Sequence, residues 1–236
     1  MSSSAELHVA YKVGNAPIQP YPYPHVFIES IFPEDFYARM QEMLPDPKCL
    51  LPLEQARGVR GYDERFVLEF KEEQFAHLTR EQDTFWRELH RWMVGGRFTQ
   101  LLLGKFGPLI APRFRGEPDV RFHDELMLVQ DTTHYKLGPH TDAQRKVLTL
   151  LFYLPRDRSQ EHMGTSIYQP KDREFRCPGG PHHPHEKFDR MWTMPFRPNS
   201  LFAFVKSDVS FHGVEPVTDA DTRRWLMLYD IYVKRQ

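Results

Sequence analysis

Two histidines and an aspartate, in the triplet His140-Thr-Asp142 and at the distant His212, are the residues whose types and spacing best fit a chemical task. Two imidazoles and one carboxylate are the ligand set of a mononuclear non-haem Fe(II) site, which leaves coordination positions open for substrate and oxygen. In a strand, residues i and i+2 point to the same face, so His140 and Asp142 can aim at one ion. His212 is then expected from a second strand across a barrel, within the strand-like stretch 210–214. A bare H-x-D triplet is weak by itself; its surroundings give it weight.

The elements that must position these side chains are read from periodicity. The chain has 236 residues, enough for one domain with a sizeable core. Residues 1–24 are rich in proline and small polar residues and are expected to form an irregular arm. Residues 25–117 are expected to be a helical supporting region. A short apolar run at 25–28 precedes a helix opening at Pro33-Glu-Asp35, where proline suits the first turn and the acids suit its positive end. A second helix is expected over Arg80–Met93, with Phe85, Trp86, Leu89, Trp92 and Met93 at helical spacing before Gly95-Gly96, and a third over 98–106. The texture changes at Pro118. Strands are expected at 120–130, 146–154, 165–168, 191–196, 200–206, 210–217 and 223–233, separated by turn signals such as Arg197-Pro-Asn. Short strands without intervening helices point to a closed or sandwiched β-architecture. The expectation is a mainly β protein, with an N-terminal helical layer over a jelly-roll core at 118–236 and a loop insert near 170–190.

Over 120–233 the sequence resembles the Fe(II)- and 2-oxoglutarate-dependent dioxygenases of prolyl-hydroxylase type, whose core is a double-stranded β-helix. The resemblance rests on Tyr135-Lys-Leu-Gly-Pro-His140-Thr-Asp142, Val147-Leu-Thr-Leu-Leu-Phe-Tyr153-Leu154 and Gly164-Thr165-Ser-Ile-Tyr168. It continues through Pro198-Asn-Ser-Leu-Phe-Ala-Phe204, Phe211-His212-Gly-Val-Glu-Pro-Val217 and Thr222-Arg223. It implies that His140, Asp142 and His212 bind iron, with 2-oxoglutarate and O2 as cosubstrates. It further implies hydroxylation of a C–H bond with release of succinate and CO2. Halogenating relatives replace the carboxylate by a small residue, so Asp142 speaks for hydroxylation or a related oxidation.

The cosubstrate's distal carboxylate calls for a bidentate cation. Relatives place it on the last strand, about ten residues beyond the distal histidine, where Arg223 and Arg224 compete. Arg223 alternates with Trp225, Met227, Tyr229 and Ile231, Arg224 with Asp230 and Lys234. The face without further charge is taken as the barrel interior, which selects Arg223. Tyr153 and Thr149 share a face of the strand after the metal motif and are candidates for the same carboxylate. Gln130 and Tyr135, on the approach to His140, are candidates for contact with cosubstrate or substrate.

Composition bounds the partners. Apolar residues make up 40% and aromatic residues 14%, and the net charge is −1, which gives no support to a nucleic-acid or membrane-surface role. No stretch approaches the ~18 apolar residues of a membrane span. The two cysteines, Cys49 and Cys177, have no metal-like spacing and read as cytoplasmic thiols. The Pro181-His-His-Pro-His-Glu186 insert reads as a solvated loop near the barrel mouth, with a substrate-contacting or lid role open to it. The arginines at 57, 60, 113, 115 and 121 read as a solubilising surface or as contacts to an acidic substrate. Two other function classes share these features: a non-catalytic β-barrel that binds a small molecule, and a cupin-type metalloenzyme that does not use 2-oxoglutarate. The expected substrate is a small-molecule, carrier-bound or peptidyl group; oligomeric state is not legible.

Overall fold

A computed structural model describes residues 2–117 and 119–234; Pro118, where the sequence texture changes, lies outside them. The first 24 residues correct the expected arm. Helix α1 spans Ser2–Asn15, with Ala5, Val9 and Val13, four residues apart, buried on one face. The prolines at 17–24 hid this helix when the segment was averaged with them.

The order continues with β1 (His25–Glu29), α2 (Glu34–Glu42), β2 (Leu51–Pro52), α3 (Leu53–Arg57), β3 (Arg65–Glu69) and α4 (Glu72–Phe75). Helices α5 (Arg80–Met93) and α6 (Arg97–Ile110) complete the helical layer. Helix α5 starts on a capping box, in which the Gln82 amide donates to Thr79 Oγ1 and the Thr79 amide to Gln82 Oε1. Its Trp86 is fully buried and donates its indole N–H to the Met43 carbonyl.

Then come β4 (Phe122–Thr132), β5 (Leu137–His140), β6 (Lys146–Tyr153), β7 (Thr165–Pro170), β8 (Phe188–Thr193), β9 (Ser200–Val205), β10 (His212–Val214) and β11 (Arg223–Val233). They form two antiparallel sheets: a large one in the order β1-β9-β6-β11-β4-β3-β2 and a small one in the order β5-β10-β7-β8. This is the expected jelly roll. The 25–117 region is more than a support, however, because β1, β2 and β3 extend the large sheet.

The large sheet buries both faces. Leu128, Leu148, Phe152, Met227 and Ile231 pack outward against Trp86, Leu102 and other residues of the helical layer. Met127, Val129, Phe202, Phe204 and Leu226 face inward, toward Ile167 and Met194 of the small-sheet side. Each element is thus apolar on the side that another element covers.

Candidate metal centre

Strands β5 and β10 are hydrogen-bonded neighbours, and His140 and His212 are direct cross-strand partners. The two imidazoles therefore share a face, with ring centroids 4.3 Å apart. This corrects the expectation that His212 arrives from across the barrel. Asp142 lies two residues beyond the end of β5, so its aim is set by its contacts rather than by strand alternation. One ligand atom from each of His140, Asp142 and His212 lies within 4.8 Å of the others. Gly213 permits the close strand pairing: a Cβ there would sit 2.3 Å from the Leu137 carbonyl oxygen.

Both imidazoles are oriented by the same device. His140 Nδ1 lies 3.0 Å from the Gly138 carbonyl and His212 Nδ1 lies 3.0 Å from the Ser210 carbonyl. A carbonyl only accepts, so each Nδ1 carries the proton and each Nε2 keeps its lone pair for a metal. Burial, helped by the neighbouring His212, pushes His140 down to about 3, and burial pushes His212 down as well. Both rings are neutral at pH 7, the form a metal requires.

Asp142 is held from two sides. The Thr149 hydroxyl donates to Oδ2 at 2.7 Å, and Lys146 Nζ lies 3.2 Å from Oδ1. Burial works to raise this carboxyl, but the Lys146 ammonium and the two imidazoles outweigh it and hold the group well below the usual carboxylate range. Lys146 also pairs with the buried Asp230 at 3.0 Å; burial nevertheless raises the Asp230 carboxyl.

The triad opens into a cavity of about 420 Å3, which Arg65, Arg224, Tyr62 and His182 also line. The Arg223 choice is overturned here. Arg223 is exposed, whereas Arg224 is 1% exposed and reaches the cavity. The uncharged face of β11 packs on the helical layer, while the inward face carries Arg224, Leu226, Leu228, Asp230 and Tyr232. Gln130 is likewise misplaced as a cosubstrate contact. Its neighbours on β4, Val129 and Asp131, face inward, so Gln130 points to the opposite side, next to its cross-strand partner Trp225. Thr149 serves Asp142. Tyr153 accepts the Thr165 amide at 3.2 Å and lies near Arg224, whose guanidinium is 5.9 Å from its ring. Tyr135 is fully buried, its hydroxyl without a partner among the described residues and its ring under the Arg65 guanidinium at 4.4 Å.

The histidine insert is a largely solvated loop at the cavity mouth, as expected: Pro181, His182, Pro184, His185 and Glu186 are exposed, and His182 also borders the cavity. The Thr141 hydroxyl donates to the Cys177 carbonyl, and the His183 amide to the Pro139 carbonyl. Gly179, at φ +132°, packs against the Asp142 backbone. The His182 ring centroid lies 4.8 Å from that of His140, and its Nε2 lies 3.1 Å from the Tyr62 hydroxyl. Sequence reading passed over Lys146, Asp131 and Asp230. The available signal was an ionisable residue inside an otherwise apolar strand, as in Leu-Val-Gln-Asp131 and Leu-Tyr-Asp230.

No protein-family model and no curated protein matches the sequence. Solved structures do match. The prolyl hydroxylase of Trichoplax adhaerens, in complex with a hypoxia inducible factor oxygen degradation domain peptide, is 12% identical with a TM-score of 0.51, covering 96% of this chain and 88% of that one. The non-heme alpha ketoglutarate dependent epimerase SnoN from nogalamycin biosynthesis is 14% identical with a TM-score of 0.51, covering 98% and 81%. At such identities the likeness is one of architecture, and the architecture is the double-stranded β-helix fold of the 2-oxoglutarate-dependent iron oxygenases.

Proposed function

We propose that the chain is an Fe(II)- and 2-oxoglutarate-dependent oxygenase that hydroxylates an unactivated C–H bond of a small-molecule, carrier-bound or peptidyl substrate. The observation that carries this reading is the opening of a His-Asp-His ligand set and a buried guanidinium, Arg224, into one cavity. The donor set fits the metal: two neutral imidazoles with Nε2 lone pairs and one carboxylate suit a divalent ion and leave coordination positions open. When bound, iron with 2-oxoglutarate and O2 supplies the oxidising power, so that one oxygen atom enters the C–H bond and the other leaves in succinate alongside CO2.

The protein's own residues bind, orient and exclude water. His140, Asp142 and His212 would hold the ion. Thr149 and Lys146 fix the carboxylate, and fixed ligands keep the reacting groups in register. Arg224 would take the distal carboxylate of 2-oxoglutarate; two of its five N–H groups are used, one on the Met163 carbonyl and one on Asp131. The Tyr153 hydroxyl, accepting from the Thr165 amide, keeps its own hydrogen to donate beside Arg224. Phe204, 4.4 Å from the His212 ring, walls the site with apolar surface. The reading places the protein in a reducing cytoplasm, where the buried, unpaired Cys49 and Cys177 would persist.

Anaerobic addition of Fe(II) and 2-oxoglutarate to the purified protein tests the proposal. A weak visible charge-transfer band of the chelate, lost in His212→Ala, is the expected result, and succinate release then serves to screen substrates. A product with one added oxygen distinguishes hydroxylation from the stereochemical inversion that SnoN's name describes. A folded, metal-loaded protein without the band would refute the oxygenase reading and favour the binding-module or cupin-type alternatives.

A further inference from the structure

Arg65, Asp131 and Arg224 form one row across three adjacent strands, β3, β4 and β11, as direct cross-strand partners. Asp131 is fully buried, and both arginines converge on it. Arg65 donates through Nε at 2.6 Å and Nη2 at 3.0 Å, and Arg224 donates through Nη1 at 2.6 Å. The row therefore carries two positive charges and one negative charge in a poorly solvated place. A buried net charge is costly without a counter-ion.

Both guanidinia keep donors that the protein does not use. Each guanidinium uses two of its five N–H groups on protein acceptors, which leaves three on Arg65 and three on Arg224. Both side chains line the cavity that contains the metal triad. Against Arg65 lies Tyr135, whose buried hydroxyl has no partner among the described residues. Two guanidinia with spare donors at one cavity match a carboxylate, which offers four lone-pair positions in a plane.

We infer that Arg65 is a second binding residue for the cosubstrate, its guanidinium sharing the distal carboxylate of 2-oxoglutarate with Arg224 while Asp131 holds the two cations apart. This rests on the oxygenase reading and deepens it. Arg65 lies outside the 120–233 segment that resembles known oxygenases, on a strand contributed by the N-terminal region. The carboxylate completes the row's charge balance, so a 2-oxo acid without it gains little from the site.

Calorimetric titration of nickel-loaded protein separates this role from a structural one. The probes are 2-oxoglutarate and 2-oxovalerate, which has the same chain without the distal carboxylate. Wild type should bind 2-oxoglutarate at least tenfold more tightly. Arg65→Gln should weaken 2-oxoglutarate by about 10- to 100-fold, as expected for loss of charge-assisted hydrogen bonds, and leave 2-oxovalerate nearly unchanged. The double variant Arg65→Gln/Asp131→Asn removes both partners of the buried pair and restores the net charge of the row. Because Asp131 also accepts from Arg224, Asp131→Asn alone is the control, and 2-oxoglutarate binding weaker in the double variant than in Asp131→Asn supports direct contact by Arg65. Wild-type affinity in either variant overturns the inference, because Arg65 would then serve only Asp131. If Arg65→Gln fails to fold by circular dichroism, the double variant compared with Asp131→Asn carries the same two outcomes: equal affinities overturn the inference and weaker binding in the double variant supports it. Wild type that binds neither probe would refute the oxygenase reading itself, a result distinguishable from failure of Arg65 alone.

Discussion

At the scale of single residues, the site depends on how side chains are held as much as on which are present. Asp142 lies beyond its strand, and the Thr149 hydroxyl is the hydrogen bond that sets its carboxylate plane. Thr149→Val keeps the shape and removes the donor. Nickel or cobalt affinity should fall by about 10- to 100-fold, the usual effect of losing an outer hydrogen bond to a ligand, with folding intact. An unchanged affinity in equilibrium dialysis would show that Lys146 alone fixes the carboxylate. For the cosubstrate, Arg224→Gln should raise the Michaelis constant for 2-oxoglutarate by about 10- to 100-fold, whereas Arg223→Gln should change it less than about twofold, as for an exposed side chain. Equal effects would refute Arg224 as the anchor of the cosubstrate's distal carboxylate. The His-Asp-His set that the structure brings together was legible because residue types and spacing define it. The arginine was not, because alternation shows which residues share a face but not which face is inside. In β11 the face rich in charge lines the cavity and the clean face is covered by helices.

At the scale of elements, the decisive pairing is β5 with β10, which places His140 opposite His212. Gly213→Ala tests it. A methyl group there meets the Leu137 carbonyl oxygen at 2.3 Å, a backbone atom that cannot swing away, so β10 must lift from β5. Metal affinity should drop at least tenfold and the melting temperature should fall, while Gly138→Ala, whose methyl meets the His182 Cβ at 3.2 Å, should be milder. Metal titration together with thermal melts would expose a wrong pairing if Gly213→Ala were neutral. The same scale shows what sequence reading recovers. Helix α5 was legible from its apolar spacing, and β11 from its uninterrupted β-rich run. Strand β5, Leu-Gly-Pro-His140, has no β-former pattern and exists because β10 pairs with it. Strand β3 escaped notice because it sits among helices and is specified by pairing with β4, a long-range contact that no local window contains. The approach of His182 to His140 is equally non-local, since the insert is anchored through the Thr141 and His183 hydrogen bonds.

At the scale of the whole molecule, the buried histidines couple the fold to pH. His25, His90, His140 and His212 all titrate below the ordinary histidine value, in each case chiefly because burial disfavours the charged ring. Above about pH 6.5 neither the folded nor the unfolded chain protonates them, and stability is indifferent to these groups. Below it the unfolded chain binds protons that the native state refuses, so stability must fall as pH falls. For His140, pushed down to about 3, the window runs from about pH 6.5 to that value, at about 1.4 kcal/mol per pH unit for a fully refused proton. Asp142, held low by Lys146 and the imidazoles, adds to the loss once the pH drops below the usual carboxylate range. Asp230, raised by burial, works in the opposite direction, because its native form accepts a proton more readily than the unfolded chain does. The histidines begin to act at higher pH than Asp142 and outnumber Asp230, so they set the direction of the change. Urea unfolding of metal-free protein should give a constant stability from pH 8 to 7 and a clear decline between pH 6 and 5, to which His140 alone contributes about 1 kcal/mol per unit. A flat profile down to pH 5 would mean that water reaches these rings, and the dry, neutral imidazoles assigned to the metal centre would have to be abandoned.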